Sequence, residues 1–211
     1  MSFREGLDDQ GTYYQINYVE GTTPILFIHG VGLDHSIWEP QTKFFKDQTT
    51  IVYDLIGHGL STCNLDEVNF EDFSKQIEGL LQILKIQKVI VIGFSLGGLI
   101  AAHFSSTRKH YAIRTVLFGT IFNRTEEQQK NAAERFLNVK ETYLNAPQQL
   151  DRWFNQDFLA SHTDVGKKIT DILNNNNHED FLKSYQLFAH FQDKFIDFDQ
   201  IEAQTLSLIH I

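Results

Sequence analysis

Cysteine is almost absent from this sequence: Cys63 is the only one in 211 residues. A single thiol cannot form an internal disulfide, and it excludes any metal site built from several cysteines. The first fifteen residues are polar and acidic, with no basic stretch followed by an apolar one, so they do not predict a secretory signal. We therefore expect a protein of the reducing cytoplasm.

Basic residues and long apolar runs are also scarce. Eighteen Lys and Arg stand against 27 Asp and Glu, a formal net charge of -9, and the basic residues are scattered along the sequence. Nucleic-acid binding needs concentrated positive charge, so a nucleic-acid partner is not expected. The longest apolar stretch, 89–102, is about 14 residues and is interrupted by glycines, whereas a membrane helix needs about 20. No membrane association is predicted.

The hydrophobic pattern predicts an α/β fold. Helical patterns at 35–46, 70–84 and 96–107 alternate with short β-rich runs, and four of these runs are continuously apolar. Continuous apolar strands are typical of a parallel sheet that is covered on both faces, and the alternation predicts helices on those faces. The β-rich runs are 13–19, 24–30, 50–57, 88–94 and 114–120.

After residue 123 the pattern changes to polar, amphipathic helices such as 125–144 and 179–191, with no strand-like run before 205–209. A helical insertion that lies over one edge of the sheet is the simplest interpretation. We therefore predict three parts: a core over 1–122, a helical lid over 123–200, and the beginning of a further core segment over 201–211.

Residues 93–98 read GFSLGG and link a predicted strand to a predicted helix. A Gly-x-Ser-x-Gly sequence in this context predicts a tight turn, in which Gly93 and Gly97 avoid a clash and Ser95 raises its hydroxyl above the sheet edge. The amide of Leu96 and the helix dipole favour an oxyanion beside Ser95. Ser95 is thus a candidate nucleophile, although it could instead act only as a helix cap.

The stretch LFIHGVGLDHSIW, 26–38, provides a second candidate element. A strand ends at His29 and Gly30, and the following turn can direct the amide of Val31 into the cleft opposite that of Leu96. Two amides that converge on one point form an oxyanion hole. His29 lies at the strand end, where a structural histidine bonded to nearby loop backbone is a better interpretation than a catalytic base.

Asp54 begins a third element, DLIGHGLS at 54–61. Its carboxylate could be the acid partner of a catalytic histidine. An Asx-type turn, in which the carboxylate accepts hydrogen bonds from the amides that follow, is the interpretation we favour.

Together these three motifs resemble the α/β-hydrolase superfamily, and most closely its branch of carboxylesterases, pimeloyl-carrier methyl ester esterases and 3-oxoadipate enol-lactonases. The resemblance covers 29–38, 54–61 and 93–98. It implies that Ser95 is the nucleophile, that the amides of Val31 and Leu96 bind the oxyanion, and that the helical lid lines the substrate pocket. No metal or organic cofactor is implied. Pocket candidates are Leu33, Phe94, Trp153 and Phe154.

The rest of a catalytic triad is not found. In this family the acid follows the strand that corresponds to 205–209, and the histidine follows one strand later. None of the nine histidines stands in that position, and a substitute base from the lid would be the alternative. These histidines are His29, His35, His58, His103, His110, His162, His178, His190 and His210.

Two explanations for the missing triad members remain open. The sequence could be a C-terminally truncated copy of a full hydrolase, which we favour because the nucleophile and oxyanion motifs are intact, or a complete protein that has lost its triad. The predicted function is hydrolysis of a small carboxylic ester, lactone or thioester through an acyl-serine, with little activity in these 211 residues. The alternative is a non-catalytic, hydrolase-like protein that binds a small molecule.

Overall fold

A computed structural model describes residues 2–142 and 145–208, and the elements named below belong to those ranges. The strands are β1 (Ser2–Leu7), β2 (Tyr13–Tyr18), β3 (Ile25–Ile28), β4 (Thr50–Tyr53), β5 (Val89–Phe94), β6 (Ala112–Phe118) and β7 (Gln204–Leu208). The α-helices are α1 (Glu39–Phe44), α2 (Phe70–Ile83), α3 (Leu96–Thr107), α4 (Glu126–Thr142), α5 (Ala146–Trp153), α6 (Gln156–Ser161), α7 (Thr163–Asn174) and α8 (His178–Ala189).

All seven strands form one mostly parallel sheet in the order β1-β2-β4-β3-β5-β6-β7. The pairs β1/β2 and β2/β4 are antiparallel, whereas β4, β3, β5, β6 and β7 run parallel to one another. The predicted α/β class with a largely parallel sheet is therefore confirmed. Strands β3, β4, β5 and β6 end at Ile28, Tyr53, Phe94 and Phe118. The loops that follow them meet at one edge of the sheet, as in other open α/β sheets.

Each face of the sheet buries its own set of side chains. Leu26 and Ile28 of β3 pack into the main core with α2 and α3, while Ile25 and Phe27 point to the opposite face. There Phe27 packs beside Trp38, with the ring centroids 5.1 Å apart. Successive residues of one strand thus face different layers, and both faces are apolar, which explains the continuously hydrophobic strands in the sequence.

Two parts of the sequence adopt structures that the pattern did not predict. Residues Ser2–Leu7 form edge strand β1, whose side chains are nearly all exposed, so it is held by backbone pairing with β2 and carries no hydrophobic alternation. The predicted helix 35–46 is instead a short 3-10 helix, His35–Trp38, followed by α1, which has Pro40 in its first turn. The remaining predicted elements are confirmed to within a few residues, apart from Leu144 and Ile209, which lie outside the described residues.

Helices α4 to α8 lie between β6 and β7 in the chain and belong to the helical segment, defined here as residues 123–200. They contact the loops at the carboxyl edge of the sheet. The side-chain amide of Asn176 donates to the carbonyl of Gly32 at 2.8 Å, and the Ser184 hydroxyl donates to the carbonyl of Ile56 at 3.2 Å. The helical segment is thereby connected to the two loops that follow β3 and β4.

Candidate active site

Ser95 lies at a sharp turn between β5 and α3. Its backbone has φ 55° and ψ -118°, a left-handed conformation that a non-glycine residue rarely adopts. Two hydrogen bonds from β6 and its following loop hold the turn: the Ser95 amide donates to the carbonyl of Phe118 at 2.9 Å, and the Thr120 hydroxyl donates to the carbonyl of Ser95 at 2.7 Å. This strained geometry is typical of a nucleophile elbow, which exposes the serine hydroxyl above the sheet.

The two glycines of the motif allow β5 and α3 to approach each other and β3 closely. A Cβ atom on Gly93 would collide with the carbonyl oxygen of Gly97, and one on Gly97 would collide with the carbonyl oxygens of Ile28 and His29. The obstacles are backbone atoms and cannot rotate away. Glycine is therefore required at both positions by close packing of the backbone.

The loop after β3 packs close to Ser95. A Cβ atom added to Gly30 would stand 3.1 Å from the Cβ of Ser95, and Val31, the next residue, lines the same cavity. Leu96 begins α3. Among the described residues, neither the Val31 amide nor the Leu96 amide donates a hydrogen bond to another protein group. The role of these two amides as oxyanion donors stays a prediction of the sequence motifs.

His29 connects the loops that follow β3 and β4. Its Nδ1 donates to the carbonyl of Gly30 at 2.8 Å, and its Nε2 accepts from the amide of Leu55 at 3.0 Å. The ring is fully buried, and this burial lowers the pKa of His29 to about 4, against the opposing effect of the Asp54 charge. Both ring nitrogens are engaged with backbone, so His29 offers no free nitrogen to Ser95.

Asp54 is a buried carboxylate that joins the same two loops. One oxygen accepts from the amide and from Nδ1 of His35, both at 2.7 Å, and the other accepts from the amide of Leu60 at 2.8 Å. The Leu60 bond agrees with the Asx-type interpretation, but the bonds to His35 were not expected. Burial is the largest single influence and would raise the pKa of Asp54. The hydrogen bond from His35, the charges of His29 and His35 and the hydrogen bond from Leu60 together outweigh it, so the pKa is lowered.

A cavity of about 120 Å³, here called the Ser95 cavity, lies between the serine and the helical segment. Leu33, Phe94 and Trp153 line it, and an open groove of about 860 Å³ continues past the same three residues to Phe154. The structure thus places three of the four pocket candidates at the Ser95 cavity and the fourth, Phe154, in the groove that shares those three residues. The walls are largely apolar, which suits the hydrocarbon part of a small substrate.

Within the described ranges, no histidine ring forms a hydrogen bond with Ser95. His103 pairs with the Ser74 hydroxyl at 2.8 Å on another face of α3, and His162 lies with Ser161 on the surface of the helical segment. His210 lies outside the described residues. Residues 2–142 and 145–208 likewise contain no group of three or more potential metal ligands, and none of their helices is long and apolar enough to cross a membrane.

A family model described as the alpha/beta hydrolase fold matches residues 23–188, which span β3 to α8. The chain belongs to the α/β-hydrolase family. Its structure is similar to that of the enol-lactonase from Burkholderia xenovorans LB400, with a TM-score of 0.82 and 21% identity over 93% of this chain and 76% of the other. The resemblance inferred from the three sequence motifs is thereby confirmed at the level of the family.

Curated relatives of this α/β-hydrolase include two proteins of Acinetobacter baylyi. One, an (E)-2-((N-methylformamido)methylene)succinate hydrolase, is 28% identical over 87% of this chain and 69% of its own length. The other, 3-oxoadipate enol-lactonase 1, is 35% identical over 41% of this chain and 33% of its own length. The chain therefore spans about two thirds of the first relative and one third of the second.

Sequence reasoning missed three charged residues of this α/β-hydrolase site. His35 pairs with Asp54, while Arg135 of α4 and Arg152 of α5 line the Ser95 cavity. A usable signal was present in the sequence, because both arginines directly precede an aromatic residue within otherwise polar helices. Both arginines line the same cavity because of the way α4 and α5 pack over the sheet, and no local sequence pattern predicts that packing.

The buried histidines of this α/β-hydrolase predict acid sensitivity. His58 lies 5.3 Å from His29, ring centre to ring centre, and its Nε2 is buried with no hydrogen-bond partner in the described structure. Burial first, and the nearby His29 second, lower the pKa of His58 to about 3. Both rings are neutral in the folded state, whereas the unfolded chain binds their protons below a pH of about 6.5. Stability should therefore fall by roughly 1.4 kcal/mol per pH unit for each histidine as the pH drops from 6.5 to 4.

Urea unfolding at several pH values between 7 and 4 measures this slope. His58→Leu should remove about half of the slope, because one of the two buried histidines is gone. The carbonyl of Ile56, which loses its contact with the His58 ring, still accepts a hydrogen bond from Ser184. His110→Gln, on the exposed surface, is the control. Burial is the largest single influence on His35, but the hydrogen bond and charge of Asp54, with the charges of Asp34 and Glu5, together raise its pKa. The stability that results is lost only above pH 6.5, so this pair does not produce the same slope. An unchanged slope in His58→Leu would contradict the assignment.

Proposed function

We propose that this chain carries the nucleophile and the oxyanion hole of a hydrolase that cleaves a small carboxylic ester, lactone or thioester through an acyl-serine intermediate. The observation that carries the proposal is the Ser95 turn, in which a strained serine stands at the N-terminus of α3 and faces a largely apolar cavity. Membership of the α/β-hydrolase family and the relatives described as a succinate hydrolase and an enol-lactonase support hydrolysis as the reaction type.

The reaction follows from the chemistry of the groups. The Ser95 oxygen adds to the substrate carbonyl, and the amides of Val31 and Leu96 stabilise the negative charge that develops on the carbonyl oxygen. Collapse of the tetrahedral intermediate expels the alcohol, enolate or thiol and leaves the acyl group on Ser95. Water then attacks the acyl-serine, which releases the acid and restores the hydroxyl.

A base must take the Ser95 proton, and none of the described histidines is bonded to it. Catalysis by the 211 residues alone is therefore expected to be slow. Asp54 and His35 form an ion pair of a carboxylate and a histidine. The Asp54 carboxylate also accepts from the amide of Leu60, and the second ring nitrogen of His35 lies against Gln15, and neither group forms a hydrogen bond with Ser95. We assign this pair to the support of the site.

Acyl-enzyme trapping tests the proposal. Incubation of the chain with p-nitrophenyl butyrate, followed by acid quenching and peptide mass spectrometry, should show one butyryl group on the peptide that contains Ser95. The acyl-serine should accumulate because deacylation also requires the base. A chimera in which residue 208 is followed by the C-terminal segment of a related α/β-hydrolase should turn over the ester continuously.

Two results would contradict the proposal. One is acylation at a different residue, and the other is rapid Ser95-independent hydrolysis. If ligands enter the cavity but Ser95 is never acylated, even in the chimera, the alternative of a non-catalytic small-molecule binder applies.

A further inference from the structure

Two arginines reach the Ser95 cavity from different helices of the helical segment. Arg135 comes from α4 and Arg152 from α5, and both line the cavity together with the amide side chain of Gln149. Arg135 and Arg152 also line an adjoining cavity of about 510 Å³, to which Arg124 contributes as well. Two of the six arginines in the chain therefore line the cavity of the candidate nucleophile, and a third lines the cavity next to it.

Arg135 and Arg152 differ from those cations of this chain that a carboxylate holds in place. Arg108 contacts the carboxylate of Glu71 at 2.6 Å, and Lys168 contacts that of Glu39 at 2.7 Å. Within the described ranges, no ion pair or hydrogen bond involves the guanidinium of Arg135 or of Arg152. Both residues line the cavity and are also exposed, so their guanidiniums are open to an anionic partner from solution.

Arg124 differs from the other two. Its Nη1 donates to the carbonyls of Phe188 and Ala189 at 3.0 and 3.1 Å, so it holds the end of α8. Partial burial and then the charge of Arg135 lower the pKa of Arg124, and the same two causes lower that of Arg152, although the Arg152 side chain keeps an exposed surface. Like charges are thus held close together, an arrangement that an anion would stabilise.

We propose that Arg135 and Arg152 bind a free carboxylate of the substrate, so that this site selects esters or lactones that carry a second, ionised acid group. This inference rests on the proposed acyl-serine function. The guanidinium fork matches a planar carboxylate in bidentate geometry. The apolar residues Leu33, Phe94 and Trp153 line the same cavity and would contact the carbon chain that joins the carboxylate to the reacting carbonyl. Arg135 and Arg152 are then specificity-determining residues.

Calorimetric titration with two matched esters tests the inference without requiring turnover. Monomethyl adipate carries a free carboxylate, whereas dimethyl adipate has the same carbon chain and no charge. In the Ser95→Ala protein, which cannot be acylated, the anionic ester should bind at least about tenfold more tightly, because charge-assisted hydrogen bonds contribute roughly 1.5–3 kcal/mol. The preference should weaken as sodium chloride is added.

Variants assign the preference to the two side chains. Arg135→Gln and Arg152→Gln should each weaken binding of monomethyl adipate by about ten- to a hundredfold and leave that of dimethyl adipate unchanged. Lys140→Gln removes an equal charge from the exposed surface of the same helix α4 and should change neither. Circular dichroism shows whether each variant is folded. The comparison of the two esters in the Ser95→Ala protein, which keeps both arginines, tests the inference even if a variant does not fold.

The outcomes separate this inference from the function on which it rests. Equal affinity for the two esters, equal loss of both in the arginine variants, or tighter binding of inorganic phosphate than of the carboxylate would overturn the inference. Acylation of Ser95 by both esters at equal rates would overturn it too, while leaving the acyl-serine function intact. Selective binding of the anionic ester by a protein that is never acylated would support the inference and reject the hydrolase.

Discussion

Ser95→Ala should lower ester hydrolysis by roughly four to six powers of ten in the chimera that carries a complete triad, because loss of a nucleophile removes the covalent route altogether. In the 211 residues alone the difference should be far smaller, since an oxyanion hole and binding without a base provide only about 10³–10⁴-fold over water. Release of p-nitrophenol from the butyrate ester, followed at 400 nm or so by its absorbance, measures both rates.

Ser106→Ala is the matched control for this substitution. Ser106 lies on α3, as close to the helix C-terminus as Ser95 is to its N-terminus, and its hydroxyl donates to the carbonyl of His103 at 3.0 Å. Its removal should leave the rate unchanged within about twofold, because Ser106 lies at the other end of the helix from the cavity and a hydroxyl–carbonyl bond within a helix contributes only about 1 kcal/mol to stability. A chimera that keeps its activity in Ser95→Ala would refute the role of the serine.

Gly97→Ala should destabilise the fold by about 3 kcal/mol or more. The new methyl group would occupy the position of the carbonyl oxygens of Ile28 and His29, where β3 ends. Relief requires α3 to move away from the sheet, which also displaces Ser95 and the Leu96 amide. The variant should therefore lose both stability and the acylation of Ser95, and urea unfolding followed by circular dichroism measures the first effect.

Gly166→Ala provides a contrast within the same protein. Gly166 lies in α7, and the nearest atom to a Cβ placed there is Cδ2 of Leu159 at an ordinary 3.5 Å. Alanine is the better helix former, so this change should stabilise the protein by about 0.5–1 kcal/mol. If both substitutions had similar effects, close packing between α3 and the end of β3 would not be the reason for glycine at position 97.

Local patterns were sufficient for the parallel sheet and for the serine turn. Strands buried on both faces must be apolar along their whole length, so β3 and β5 were visible as continuous runs. The turn at Ser95 is formed by neighbours in sequence, and its glycines are required by contacts that any strand-to-helix elbow makes. In contrast, β1 was invisible, because a strand exposed on both faces needs only backbone hydrogen bonds.

By itself the amino-acid sequence determined the α/β class, the family and the position of the candidate nucleophile. Each depends on short runs or motifs of about ten residues or fewer and on their order along the chain, and both are visible without the fold. Only the tertiary structure decided that Asp54 pairs with His35 and that Arg135 and Arg152 converge above Ser95. Side chains far apart in sequence meet according to the path of the helical segment over the sheet. The helical segment takes this path because it packs against the loops after β3 and β4. The spacing of residues within one stretch of sequence does not predict such contacts.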